Sequence, residues 1–275
     1  MFAFARRGSV RFALFAVVMA GFAWSCSTVP ITGRHQLSLV PEDQIIAMAA
    51  SQYDTVLMTN KLSTNKEQTA MVKRCGARIQ KAVESYFQSQ NQSKQLAGYK
   101  WEFNLIESDQ VNAWCMPGGK VAFYTGIMPV CKDETGIAVV MGHEVAHAVA
   151  RHGNERMSQG LLAQFGSVAL DAAMQKNSAQ TKQIAAMAFG IGAQYGALLP
   201  FSRKQESEAD HLGLIFMAMA GYDPHAAVPF WERMAASSKG GKPPEILSTH
   251  PSDESRIAEL RRLMPEAEKY YKPMN

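Results

Sequence analysis

Residues 141–153 read MGHEVAHAVARHG and hold His143 and His147 four residues apart, with Glu144 beside the first, among small apolar residues. At 3.6 residues per turn the two histidines share one helix face, about 40° apart, while Glu144 is rotated by about 100°. Two imidazoles so placed reach one zinc ion, and the carboxylate approaches a water there without ligating the metal. That is the logic of an HExxH motif. The alternative is a core helix carrying two packed histidines. It leaves Glu144 among Val, Ala and Met without compensation, although buried carboxylates are rare unless paired. His152 lies nine residues past His143, about 180° round the same helix, and is expected to face away at the helix end.

A catalytic zinc takes three protein ligands and keeps one position open. A histidine at 153 with a glycine at 150 would extend the motif, but these positions are Gly153 and Ala150. The third ligand is therefore expected from the segment SRKQESEAD. There Glu206 and Asp210 share a helix face, Glu206 as ligand to the one zinc and Asp210 as hydrogen-bond partner of a ligand or brace between helices. Glu208, about 160° round from Asp210, is the weaker candidate.

The chain has 275 residues, 47% of them hydrophobic, enough for one sizeable core. Its first 25 residues are basic at Arg6, Arg7 and Arg11, contain no acid and run through FALFAVVMAGFAW. They read as a secretory signal, too short for a membrane span. The signal ends in FAWSC, which resembles the lipobox of bacterial lipoproteins and makes Cys26 the expected lipidation site. Residues 26–41 are then a lipid-linked tether and 42–275 a single domain. Loss of the signal takes three positive charges from a net +4 and leaves +1, so nothing electrostatic favours nucleic acid. Three further cysteines remain and no CxxC occurs. Cys115 and Cys131 flank a hairpin and the start of the metal helix, and a disulfide between them is expected, with Cys75 as the free thiol.

Helices are expected over 42–58, 68–88 and 133–152, over SRKQESEADHLGLIFMAMAG closed by Gly221, twice within 155–200, and over the segments PHAAVPFWERMAAS and 253 onward. A strand is expected at YKWEFNLIES, and a hairpin at VNAWCM-PGGK-VAFYTG. The fold class is α+β and mostly helical. The apolar run IAAMAFGIGAQYGALLP, interrupted by Gln194 and three glycines, reads as a buried or cleft-covering helix.

HEVAH followed at a distance by ESEAD resembles the HtpX-like and CAAX-prenyl-protease-like gluzincin metallopeptidases. Within them it resembles a lipoprotein branch close to the mitochondrial Oma-type protease. CSTVPITGRHQLSLV, NAWCMPGGKVAFYTG, MGHEVAHAVARHGNERMSQ and STHPSDESRI carry the likeness over residues 26 to 263. The resemblance implies a zinc endopeptidase with His143, His147 and Glu206 as ligands and Glu144 as general base. It implies a small β-sheet whose edge strand, at Asn112 and Ala113, lines the cleft and binds substrate backbone by strand addition. It also puts His250 and Arg256 near the metal, where a donor could stabilise a developing oxyanion, and His250 could fill the fourth zinc position at rest. The integral-membrane members of the family carry transmembrane helices, and this chain has no convincing span.

These readings converge on a zinc endopeptidase acting on misfolded or unassembled envelope proteins from the periplasmic face of an outer membrane, with anchoring to the inner membrane left open. A periplasmic chaperone or assembly factor with a structural or latent zinc site stays open beside it. So does a zinc lipase or amidase.

Overall fold

The computed structural model describes residues 26–29, 32–194, 198–237, 245–250 and 254–273. The expected signal segment, 1–25, and most of the Gly- and Pro-rich loop before His250 lie outside the described residues. The chain opens with a hairpin of β1 (Cys26–Thr28) and β2 (His35–Leu37), then α1 (Glu42–Thr59) and α2 (Lys66–Ser89). β3 (Glu102–Ile106), β4 (Ala113–Met116) and β5 (Lys120–Tyr124) follow. After the short α3 (Met128–Cys131) come α4 (Glu134–Val149), α5 (His152–Ala173) and α6 (Ala179–Ala193). The remainder is α7 (Leu199–Met219), α8 (Ala227–Ser237), α9 (Glu245–Thr249) and α10 (Glu254–Ala267). The expected α+β, mostly helical class is the one observed.

The three-stranded sheet has the order β3-β5-β4, with β3 parallel and β4 antiparallel to β5. β4 is thus an edge strand, as expected. The β4–β5 turn needs Gly118 and Gly119, whose φ values of +84° and +81° lie in the left-handed region. A Cβ on Gly119 would also run into the Trp101 ring.

α4 is the centre of the molecule. The Asp133 side chain caps it by accepting from the Gly136 amide at 2.9 Å. Every residue from Gly136 to Val149 is buried, His143, Glu144 and His147 included, because the helix is covered by α2, α7 and β4. It crosses α7 at two glycines. A Cβ on Gly142 would come within 2.7 Å of the Gly213 carbonyl oxygen, and one on Gly213 within 2.9 Å of the His143 amide nitrogen. The helix carrying two histidines and the helix carrying Glu206 therefore meet backbone to backbone. Gly142→Ala is expected to cost about 1–3 kcal/mol through overpacking. Gly160→Ala, on α5 with nothing within 4 Å of the added Cβ, is expected to stabilise by up to about 1 kcal/mol. Thermal melts of the two variants check the contrast.

Four expectations are corrected. The helix expected over 133–152 stops at Val149, because Arg151 takes φ +58°, with its Nε 3.5 Å from Glu42, and α5 starts anew at His152. The stretch 26–41 is no free tether. Val29 is buried in the core, the Leu39 amide donates to Ser158 Oγ at 2.9 Å, and Arg34 pairs with Glu155. The disulfide expected between Cys115 and Cys131 is absent, and both are free thiols together with Cys75. The two look into different parts of the core. Burial, then the Glu144 carboxylate, pushes the Cys115 thiol up, whereas Cys131 lies near Cys75 and burial lifts it to about 12. The apolar run expected to form a buried or cleft-covering helix is not buried: Ile184 is 57% and Met187 55% exposed on α6, which packs chiefly on α5. Among the described residues, no helix is long and apolar enough to cross a membrane.

Candidate metal centre

α4 delivers His143 and His147, α7 delivers Glu206, and the chain just after α9 delivers His250. Their donor atoms all lie within 4.8 Å of one another, and the four residues are buried. His143 Nε2 lies 3.2 Å from His147 Nε2, 3.4 Å from Glu206 Oε2 and 3.2 Å from His250 Nδ1. His147 Nε2 is 3.3 Å from Glu206 Oε1, and His250 Nδ1 is 2.8 Å from Glu206 Oε2. A tetrahedral zinc with bonds of about 2.0–2.1 Å requires donor–donor edges of about 3.4 Å. Five separations of 2.8–3.4 Å among three imidazoles and one carboxylate fit that shell.

Glu144 projects beside the cluster. It is buried, its Oε1 stands 3.6 Å from His250 Nε2, and that oxygen lacks a hydrogen-bond partner among the described residues. A buried carboxylate oxygen left without a donor is costly in a purely structural helix. At a metal centre it faces the place where a water would sit, so this observation weighs against a core helix with packed histidines.

The charges behind the cluster orient it. His143 Nδ1 is 2.9 Å from Asp210 Oδ1. Burial opposes a charge on His143, but Asp210 and Glu206 outweigh it and raise its pKa to about 9. For His147 burial prevails and lowers the pKa well below the usual histidine range. Glu206 is held far below the usual carboxylate range. Burial, which would raise it, is outweighed by His143, His147 and His250. Asp210 lies low as well, since Arg256 and His143 overcome its burial.

Arg256 stands elsewhere than the sequence suggested. Its Nε and one terminal nitrogen donate to Asp210 at 2.8 and 2.6 Å, its other terminal nitrogen donates to the His250 carbonyl at 3.3 Å, and its plane lies 3.4 Å over Trp231. It reaches the back of His143 at Nδ1 rather than the metal-facing atoms, so the expected oxyanion role is replaced by a brace on Asp210.

The expected strand lies beside this centre. Ala113 is buried, with its amide bonded to its neighbour Asn112 Oδ1 at 2.9 Å, and the Asn112 carbonyl accepts from Tyr124. The Ile246 amide on α9 donates to the Val111 carbonyl at 3.2 Å, so the segment carrying His250 rests against the start of the edge strand.

Sequence reasoning turned His152 away from the centre and kept Glu208 only as the weaker ligand candidate, and it missed that the two meet behind His147. His152 is fully buried, with Nδ1 2.8 Å from His147 Nδ1 and Nε2 3.0 Å from Glu208 Oε2. Only the left-handed turn at Arg151 brings it back, and no spacing rule contains that turn.

The model of peptidase family M48 matches residues 74–264. The mitochondrial metalloendopeptidase OMA1 of Schizosaccharomyces pombe is 42% identical over 174 residues, 63% of this chain and 49% of that protein. The human mitochondrial metalloendopeptidase OMA1 is 29% identical over 247 residues, 86% of this chain and 46% of that protein. The beta-barrel assembly-enhancing protease of Escherichia coli K12 is 32% identical over 169 residues, 58% of this chain and 34% of that protein. The chain spans half or less of the length of these relatives.

Proposed function

The chain belongs to peptidase family M48, and on that premise we propose that it is a zinc-dependent endopeptidase, with His143, His147 and Glu206 holding one zinc ion and Glu144 as general base. The four-donor cluster with the unpartnered Glu144 oxygen beside it carries the reading. Zinc, when bound, supplies a Lewis acid and lowers the pKa of water. Glu144 Oε1 takes the proton of the attacking water and delivers it to the departing amine. Asp210 fixes the tautomer of His143 by accepting from Nδ1, which leaves Nε2 for the metal. The outer edge of β4, from Ala113 onward, offers main-chain groups to an extended substrate, while Asn112 just before it spends its carbonyl on Tyr124 inside the sheet. An unfolded protein therefore suits the site better than a compact one.

His250 fills the fourth place in this arrangement and closes the cluster. Substrate then has to displace the segment resting on Val111, after which the His250 imidazole is free to donate to the developing oxyanion. His250→Ala is expected to change casein hydrolysis by tenfold or so, upward if restraint dominates and downward if oxyanion support dominates. Zinc absorption spectroscopy on the unliganded protein reads the resting shell. Two imidazoles, a carboxylate and water, unchanged in the variant, would sink the fourth-ligand role.

The closed cluster is also the observation that favours a second reading, an assembly factor whose zinc is structural or latent. Hydrolysis of unfolded casein, abolished by a chelator and restored by zinc, decides for the peptidase. A zinc-loaded chain without turnover, in wild type and His250→Ala alike, decides for the second.

The setting is proposed as the bacterial cell envelope, with misfolded or unassembled envelope proteins as substrates. The signal-like segment and the lipobox-like Cys26 support it, as does likeness to a beta-barrel assembly-enhancing protease. Likeness to mitochondrial relatives supports the chemistry but not the compartment. With β1 starting at Cys26, a lipid there would hold the domain close to the membrane. Labelling with a radioactive fatty acid that is lost in Cys26→Ala tests the anchor.

A further inference from the structure

The two metal-facing histidines of α4 are held from behind in different ways. His143 Nδ1 meets the Asp210 carboxylate, whereas the nearest acceptor to His147 Nδ1 is another imidazole, His152 Nδ1 at 2.8 Å. If His147 offers Nε2 to a metal, its proton sits on Nδ1. His152 Nδ1 must then be the acceptor, so the proton of His152 sits on Nε2, 3.0 Å from Glu208 Oε2. Glu208 in turn accepts from Arg34 Nε at 2.8 Å and from the Thr32 hydroxyl. Arg34 spends its two terminal nitrogens on the Glu155 carboxylate, both at 2.8 Å, and Glu155 also accepts from Gln205 at 2.7 Å. One assignment of protons satisfies every link from the hairpin to His147.

Two facts separate this chain of contacts from an ordinary buried pair. His152 is fully buried and reaches His147 only because α4 breaks at Arg151. Arg34 and Thr32 stand in the β1–β2 connection, a hundred residues or more before α4 in sequence and outside the span matched by the family model.

We propose that His152 is a positioning residue for His147, and that the β1–β2 hairpin, through Arg34 and Thr32 on Glu208, sets how tightly the chain holds zinc. This rests on the metal-centre reading given above. The carboxylate fixes His152, His152 fixes the tautomer and ring angle of His147, and undocking of the hairpin loosens the ligand. Any event near Cys26 that pulls the hairpin away thereby lowers metal occupancy.

The test measures the zinc dissociation constant of the full chain by competition with a chromophoric chelator, with far-ultraviolet circular dichroism and a thermal melt on each sample. His152→Asn puts an amide oxygen near the place of Nδ1 and keeps the acceptor for His147. His152→Gln puts its amide near Nε2, so it keeps the contact with Glu208 and loses the one with His147. The expected result is zinc binding within about threefold of wild type for Asn and weaker by about 10–100-fold for Gln. Arg34→Ala is expected to weaken binding by about tenfold, and Arg34→Lys to recover part of it. A purely structural pair predicts the reverse order, with Gln tolerated and Asn harmful, and that order overturns the proposal. Equal affinities in Asn, Gln and wild type overturn it too. A wild-type chain that takes up no stoichiometric zinc sinks the metal-centre reading instead, so the two failures are distinguishable.

Discussion

Glu144→Gln is expected to keep zinc at wild-type stoichiometry and to lower hydrolysis of unfolded casein by about 10²–10⁴-fold. The amide has nearly the shape of the carboxylate, and it replaces a buried side chain whose Oε1 makes no hydrogen bond among the described residues. Folding therefore loses little, and the expected melting midpoint lies close to that of wild type. None of the four clustered donors belongs to Glu144, so the metal loses no ligand. What disappears is the ability to take a proton from water. Glu206→Gln is the complementary variant. It exchanges a carboxylate lying within 2.8–3.4 Å of three imidazoles for a neutral group, and it is expected to lose metal and activity together. Metal content and turnover measured on the same preparations separate the two. Substantial turnover by Glu144→Gln would remove it from the role of base.

Arg256→Met is expected to destabilise the fold by about 3–5 kcal/mol, because it strands a buried charge. For a chain of this length that corresponds to a fall in melting midpoint of about 10 °C. Asp210 is 4% and Arg256 7% exposed, with two hydrogen bonds between them, and the guanidinium lies flat over Trp231. Water has little access to repair the loss. The pair also stands directly behind His143. Arg256→Met combined with Asp210→Leu is expected to recover much of the lost stability, since well-packed apolar residues often replace a buried ion pair at little cost. Zinc affinity is expected to stay low in the double variant, because His143 Nδ1 no longer has a carboxylate to donate to. Recovery of both quantities would show that Asp210 braces helices without orienting the ligand. A single Arg256→Met variant as stable as wild type would remove the argument that the pair is structural.

The helices and strands were largely legible, because most of them carry local signals. Pro41 with Glu42 and Asp43 starts α1, Asp133 caps α4, and Pro-Gly-Gly turns β4 into β5. The departures have local or tertiary causes. A non-glycine residue in the left-handed region at Arg151 is not signalled by apolar periodicity, so the break in α4 was invisible. Of the two readings of the α6 run, buried or cleft-covering, the buried one failed because composition says how apolar a segment is and not how much partner surface the fold supplies. The chain after Cys26 looked like a tether because its short strands are polar. Its attachment comes from single residues, Val29 and Arg34, whose partners are distant in sequence.

The sequence by itself determined the residues able to do chemistry: the histidine pair one helical turn apart, the carboxylate between them, and the acidic segment that supplies Glu206. Helical spacing is a local geometric rule, and these groups obey it within single helices. Only the tertiary structure decided how they are supported. The glycine crossing of α4 and α7 brings Glu206 to the histidines, the segment after α9 brings His250, and the turn at Arg151 brings His152 back to His147. Asp210 with Arg256 stands behind His143, and Glu208 with Arg34 stands behind His152, which meets His147. Those choices depend on which backbones approach closely enough and which buried charges find partners. These are properties of the packed molecule that no local pattern in the chain encodes.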